Sequence, residues 1–96
     1  MNYMEINIEL IIEEYKDYVY TIIKNTSGNA LIPADIDEII SDVFFLIWKN
    51  SAKIKTNLKA YIATTARNCA INRMRENKIA ITEYDDKYLY SKEISD

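Results

Sequence analysis

Histidine is absent from this chain of 96 residues, and cysteine, glycine, proline and tryptophan each occur once. With no histidine, a lone thiol and no glycine-rich loop, the chain lacks the parts of a cysteine or serine hydrolase, a zinc site or a phosphate cradle. Neither catalysis nor a cofactor is expected. One glycine and one proline leave few positions for hairpin turns, which disfavours a sheet. Cys69 has no second cysteine to pair with, as suits a reducing cytoplasm. No uninterrupted apolar stretch approaches the ~18 residues of a membrane span. The apolar residues near the amino terminus alternate with Glu5, Glu9, Glu13 and Glu14, a pattern foreign to a signal peptide. No membrane insertion is expected.

What the chain does contain is apolar material in helical register. Hydrophobic residues make up 49% of it, eight of them tyrosines, enough for one core and one domain. Ile8, Ile11, Ile12, Tyr15, Tyr18, Val19, Ile22 and Ile23 recur at three- and four-residue steps and predict a first helix over about 5–25. The run Asn25-Thr26-Ser27-Gly28-Asn29 should stop it. Pro33 suits the first position of a second helix, and Asp35, Asp37 and Glu38 suit its positive end. That helix is expected over about 33–50, with Ile36, Ile39, Ile40, Val43, Phe44, Leu46 and Ile47 on its apolar arc. Phe45 falls in the middle of its polar face and Trp48 at the border. Thr56 or Asn57 can cap a third helix over about 57–78, with Leu58, Ile62, Ala63, Ala66, Cys69, Ala70 and Met74 buried. Its opposite face carries Tyr61, Thr64, Thr65, Asn68, Asn72 and Arg75. The fold class read from these periods is all-α, a three-helix bundle. Residues 79–96 show no convincing period and read as an acidic linker or tail.

The net charge of −3 conceals a segregation. Residues 1–48 hold nine acidic and two basic side chains, residues 49–78 one acidic and eight basic, and residues 79–96 five acidic and two basic. A basic block of this kind suits a polyanion, although a helix face docked on its acidic neighbours would look the same. The carboxylates Asp35, Asp37, Glu38 and Asp42 lie on a regular helix and project outward, without the oxygen-rich loop of a calcium site, so no metal is expected. Cys69 lies on an apolar arc, the place of a buried structural thiol.

The segment from Asp35 to Asn50, which includes DVFFLIWKN, followed by LKAYIATTARN from Leu58 to Asn68, resembles region 2 of the extracytoplasmic-function sigma factors of bacterial RNA polymerase. The YKDYVY stretch from Tyr15 to Tyr20 looks like the usual start of that region. The resemblance spans about residues 15–78 and implies a non-enzymatic transcription initiation domain with two working faces. The exposed side of the second helix, Asp37, Glu38, Ser41 and Asp42 with Phe45 or Trp48 as an apolar anchor, would dock on the clamp helices of the largest subunit of core RNA polymerase. The plainer alternatives are that Phe45 packs beneath the acidic tail and that Trp48 belongs to the core. The loop before the third helix and that helix's exposed face would bind the non-template strand of the promoter −10 element. There Asn68 is the first choice for a base contact, and Tyr61 either stacks on a base or covers the core. Asn57, Thr64, Thr65 and Asn72 complete the reading set, and Lys53, Lys55, Lys59, Arg73, Arg75 and Lys78 would meet phosphates. An anti-sigma factor is a further candidate partner. Ser41 stands where the family often has glutamine and Leu46 where it often has a basic residue. The family also carries a helix-turn-helix domain that reads the −35 element, and none is read in residues 79–96, so the chain is expected to be either a fragment that ends in the interdomain linker or a protein that cannot recruit promoters in the usual way. The rival reading is a sigma-like protein-interaction module that does not touch DNA.

Overall fold

The computed structural model describes residues 7–55 and 57–78, which form three helices, α1 (Ile8–Ser27), α2 (Pro33–Lys49) and α3 (Leu58–Glu76), with a 3-10 turn at Ser51–Lys53. Among the described residues there is no strand, and the all-α expectation is met. No helix of the described residues is long and apolar enough to cross a membrane.

Each helix start has a local cause. Asn7 caps α1 by accepting a hydrogen bond from the Leu10 N–H at 3.2 Å, and Asn57 caps α3 by accepting from Ala60 at 3.0 Å. At α2 no side chain caps, and Pro33 in the first turn removes one donor that would otherwise need a partner. The end of α1 lies two residues beyond the expected Asn25. The hydroxyls of Thr26 and Ser27 turn back to donate to the carbonyls of Ile22 and Ile23, each at 2.8 Å, and so travel with the helix instead of ending it. Gly28 ends it: φ of +59° is open to glycine without the penalty a Cβ brings, and its N–H closes on the Lys24 carbonyl at 2.7 Å. Helix α3 stops at Glu76, and Asn77 and Lys78 form a turn, Lys78 with φ of +59°.

The core joins Val19 and Ile23 of α1, Leu31 of the connection, Ile36, Ile39, Val43, Phe44 and Ile47 of α2, and Ile62, Ala66, Ala70 and Met74 of α3. All of the expected apolar positions of α1 and α2 are buried or half-buried. Helix α3 packs against both of the others and presents alanine where the backbones come close. Lying between two helices widens its buried arc, which is why Ile71, absent from the expected buried side, is only 3% exposed.

Candidate functional site

The periodicity of α2 decides what it can offer a partner. With Ile36, Ile39, Val43, Phe44 and Ile47 turned inward, Asp37, Glu38, Ser41, Asp42, Phe45 and Trp48 are all carried outward on the remaining arc. Phe45 and Trp48 are each 55% exposed, which corrects the alternative that Trp48 belongs to the core: at the border of the apolar arc, it lies where the packing of α2 on its neighbours leaves it in solvent. The two rings touch, with centroids 6.2 Å apart and planes tilted by 45°. Lys49 Nζ stands 6.0 Å from the centre of the Phe45 ring. The result is an exposed aromatic pair framed by carboxylates. The tail under which Phe45 might have packed, residues 79–96, lies outside the described residues.

The face of α3 that was expected to read DNA carries both exposed and half-buried side chains. Thr64, Asn72 and Arg75 are exposed, and Tyr61, Thr65 and Asn68 are half-buried along the same side of the helix. Tyr61 packs against the core. Asn68 is half-buried, and its amide is a group that both donates and accepts. Lys53 and Lys55 are exposed in the connection before α3, and Lys78 is exposed just beyond its end.

Three of the expected DNA-binding side chains have work inside the bundle. Asn57 spends its carbonyl oxygen on the helix cap. Lys59 places its ammonium 4.9 Å from the centre of the Tyr18 ring, tying the start of α3 to α1. Arg73 faces α2, not the reading side. Its Nη1 lies 2.9 Å from Asp35 Oδ1 and 3.1 Å from Glu38 Oε1, and its Nε 3.3 Å from Glu76 Oε1. Asn77 Nδ2 donates to the other oxygen of Asp35 at 3.1 Å. Burial alone would discourage the Arg73 charge, but Glu38 and Asp35 outweigh it and raise the guanidinium pKa above its ordinary value. The side chain is 17% exposed, and the cluster fastens the end of α3 to the first turns of α2. Reading the third helix by itself could not reveal this, because Asp35 lies 38 residues earlier in the chain.

Arg73→Ala is therefore expected to lower stability by about 1–3 kcal/mol, through the loss of hydrogen bonds between charged groups. It should leave the salt dependence of any DNA binding unchanged, since only lost phosphate contacts flatten that slope. Denaturant titration and a salt series on the same variant check both halves.

Arg67, which was left out of the expected phosphate contacts, is half-buried, and its Nε is buried without a hydrogen-bond partner. Cys69 is half-buried, and its thiol pKa is raised, first by burial and then by the Asp42 carboxylate. The expectation of a structural thiol meets a group that still reaches a groove between α2 and α3, lined also by Asp42, Phe45 and Leu46 of α2 and Asn72 and Glu76 of α3.

No curated protein and no solved structure matches this chain. The family model described as sigma-70 region 2 matches residues 11–79, which includes all of α2 and α3 and most of α1. A chain matched over most of its length and folded as three helices belongs to the sigma-70 region 2 family and is a sigma-factor domain of transcription initiation.

Proposed function

We propose that this domain docks on the clamp helices of core RNA polymerase through the exposed face of α2, and that α3 recognises and helps to melt the promoter −10 element. The observation that carries the proposal is the pairing of two unlike exposed faces on neighbouring helices. On α2 an aromatic pair sits among Asp37, Glu38 and Asp42; on α3 a row of hydroxyls, amides and a guanidinium follows two exposed lysines. An exposed aromatic centre with a charged rim is the make-up of a protein interface, and one that repels a polyanion. Amides and hydroxyls flanked by cations suit a single strand whose bases are unstacked.

In this reading the chain holds the melted strand without catalysing a reaction. Extruding a base costs a few kcal/mol, recovered by stacking and by hydrogen bonds to the base edge. Asn68 makes the discriminating contact. Tyr61 offers its ring, and Thr64, Thr65 and Asn72 lie within reach of sugars and bases along the same face. Lys53, Lys55, Lys78 and Arg75 hold phosphates and supply affinity without sequence information. Residues 1–78 would be the working domain and residues 79–96 the linker, and the site of action would be the cytoplasm.

Asn68→Ala is expected to reduce discrimination between a −10-like strand and a scrambled one by ~1–3 kcal/mol in the complex with core. Lys55→Ala should weaken both strands alike and lower the slope of log affinity against log salt by about one. Fluorescence anisotropy with the two strands separates these effects. An equal loss on both strands from Asn68→Ala would remove Asn68 from the reading role.

A further inference from the structure

We propose that in the unbound chain the acidic stretch 79–86 lies back along α3 and sets a carboxylate on the Arg67 guanidinium, where it competes with DNA. The competition rests on α3 being the DNA-binding helix; the contact does not.

Arg67 stands apart within the basic block. Of the eight cations in residues 49–78, Arg73 is held by three carboxylates, Lys59 lies over the Tyr18 ring and Lys49 beside Phe45. Lys53, Lys55, Arg75 and Lys78 are exposed to water. Arg67 is half-buried, and its Nε–H, out of reach of solvent, meets no acceptor among the described residues. A buried charged donor of this kind calls for a partner. A guanidinium matches an anion that takes two parallel hydrogen bonds, one of them from Nε, and carboxylate and phosphate both qualify. Glu76, the single acidic residue of 49–78, is committed to Arg73.

Charge and chain reach point to the carboxylates that follow α3. Residues 79–86 hold Glu83, Asp85 and Asp86 and no cation, whereas residues 87–96 balance two acidic side chains against two basic. All of the net side-chain charge beyond Lys78 thus lies in the part nearest the helix. Arg67 is nine residues before the end of α3 at Glu76, roughly 14 Å back along the axis at about 1.5 Å per residue. Glu83, Asp85 and Asp86 follow Lys78 by five, seven and eight residues, an extended span of roughly 16–28 Å. Lys78, with φ of +59°, breaks the helical path and lets the chain change direction there. Thr64, exposed and three residues before Arg67, is its neighbour on the helix surface. A segment bound at Arg67 therefore reaches the edge of the face assigned to DNA.

The test compares two triple substitutions in the full chain. Glu83→Gln, Asp85→Asn and Asp86→Asn together remove the proposed partners; Glu13→Gln, Glu14→Gln and Asp17→Asn remove the same charge from exposed positions of α1. Helicity is recorded for both to show that the fold persists. The first readout is the NMR signal of the Arg67 Nε–H in the absence of DNA. It is expected to move on the first substitution and to stay in place on the second, and a signal indifferent to both overturns the contact. The second readout is affinity for fluorescent oligothymidine without core at low salt. The first substitution is expected to raise it by about tenfold, as for a face blocked in roughly nine molecules of ten. Equal gains from the two overturn the competition, since net charge alone would then account for them. If neither the unaltered chain nor the first variant binds DNA, with or without core, the competition falls together with the DNA reading of α3, and the Arg67 signal still decides the contact.

Discussion

Replacing Phe45 and Trp48 together by alanine is expected to weaken binding to sigma-free core RNA polymerase by about 2–4 kcal/mol, roughly 30- to 1000-fold. Both rings are more than half exposed in the free domain, so they contribute little to holding the bundle together. Their contact at 6.2 Å presents one continuous apolar surface, and aromatic side chains at the centre of an interface are where binding energy concentrates. The surrounding carboxylates of Asp37, Glu38 and Asp42 should act differently. Single neutralisations at an exposed rim mainly slow association and reduce its salt dependence. Surface plasmon resonance with immobilised core separates the two, since loss of the aromatic pair should appear in the dissociation rate. Wild-type dissociation from the double variant, with helicity unchanged, would move the anchor off α2.

The largest effect on stability is expected at Ile62. Its side chain is fully buried in the first turns of α3, where α3 meets the other two helices, and Ile62→Ala should cost about 2–5 kcal/mol. A small domain has about 5–15 kcal/mol in all, so this one truncation removes a large share. The thermal midpoint should fall by roughly 8–40 °C, from about 4–8 °C for each kcal/mol in a domain of this size. Thr64→Ala, two residues further along the same helix but exposed, should stay within about 0.5 kcal/mol of the parent. Urea denaturation of the two variants makes the comparison. Similar losses at both positions would mean that the exposed face of α3 carries packing that its solvent exposure does not suggest.

The helices were legible because apolar residues repeat at three- and four-residue steps and because Asn57, Pro33 and Gly28 stand where helix starts and stops require such residues. The same regularity set the outward arc of α2, and all six of its expected docking residues emerge exposed. What was missed needs two helices at once. Arg73 reads as one more cation in a basic block until Asp35 and Glu38 are brought to 2.9 and 3.1 Å. Lys59 is likewise claimed by Tyr18 across the α1 interface. Trp48 was divided between core and surface because a residue at the edge of an apolar arc is decided by how neighbouring helices pack, which periodicity within one helix does not contain. Ile71 escaped for the same reason: only a helix with neighbours on two sides buries so wide an arc. Ser27 misled through chemistry, since a hydroxyl that can end a helix can also bond back into it.

The measurement that bears most directly on the proposed role is binding of this chain to fluorescent single-stranded DNA carrying an AT-rich −10-like sequence. It is made with and without sigma-free core RNA polymerase, against a scrambled strand and across a salt series. A region 2 domain that docks through α2 and reads through α3 is expected to capture the −10-like strand in preference to the scrambled one when core is present, with affinity falling steeply as salt rises. Binding to core with no preference between strands and no salt dependence of DNA capture would contradict the reading role of α3 and leave a protein-interaction module built on the same fold.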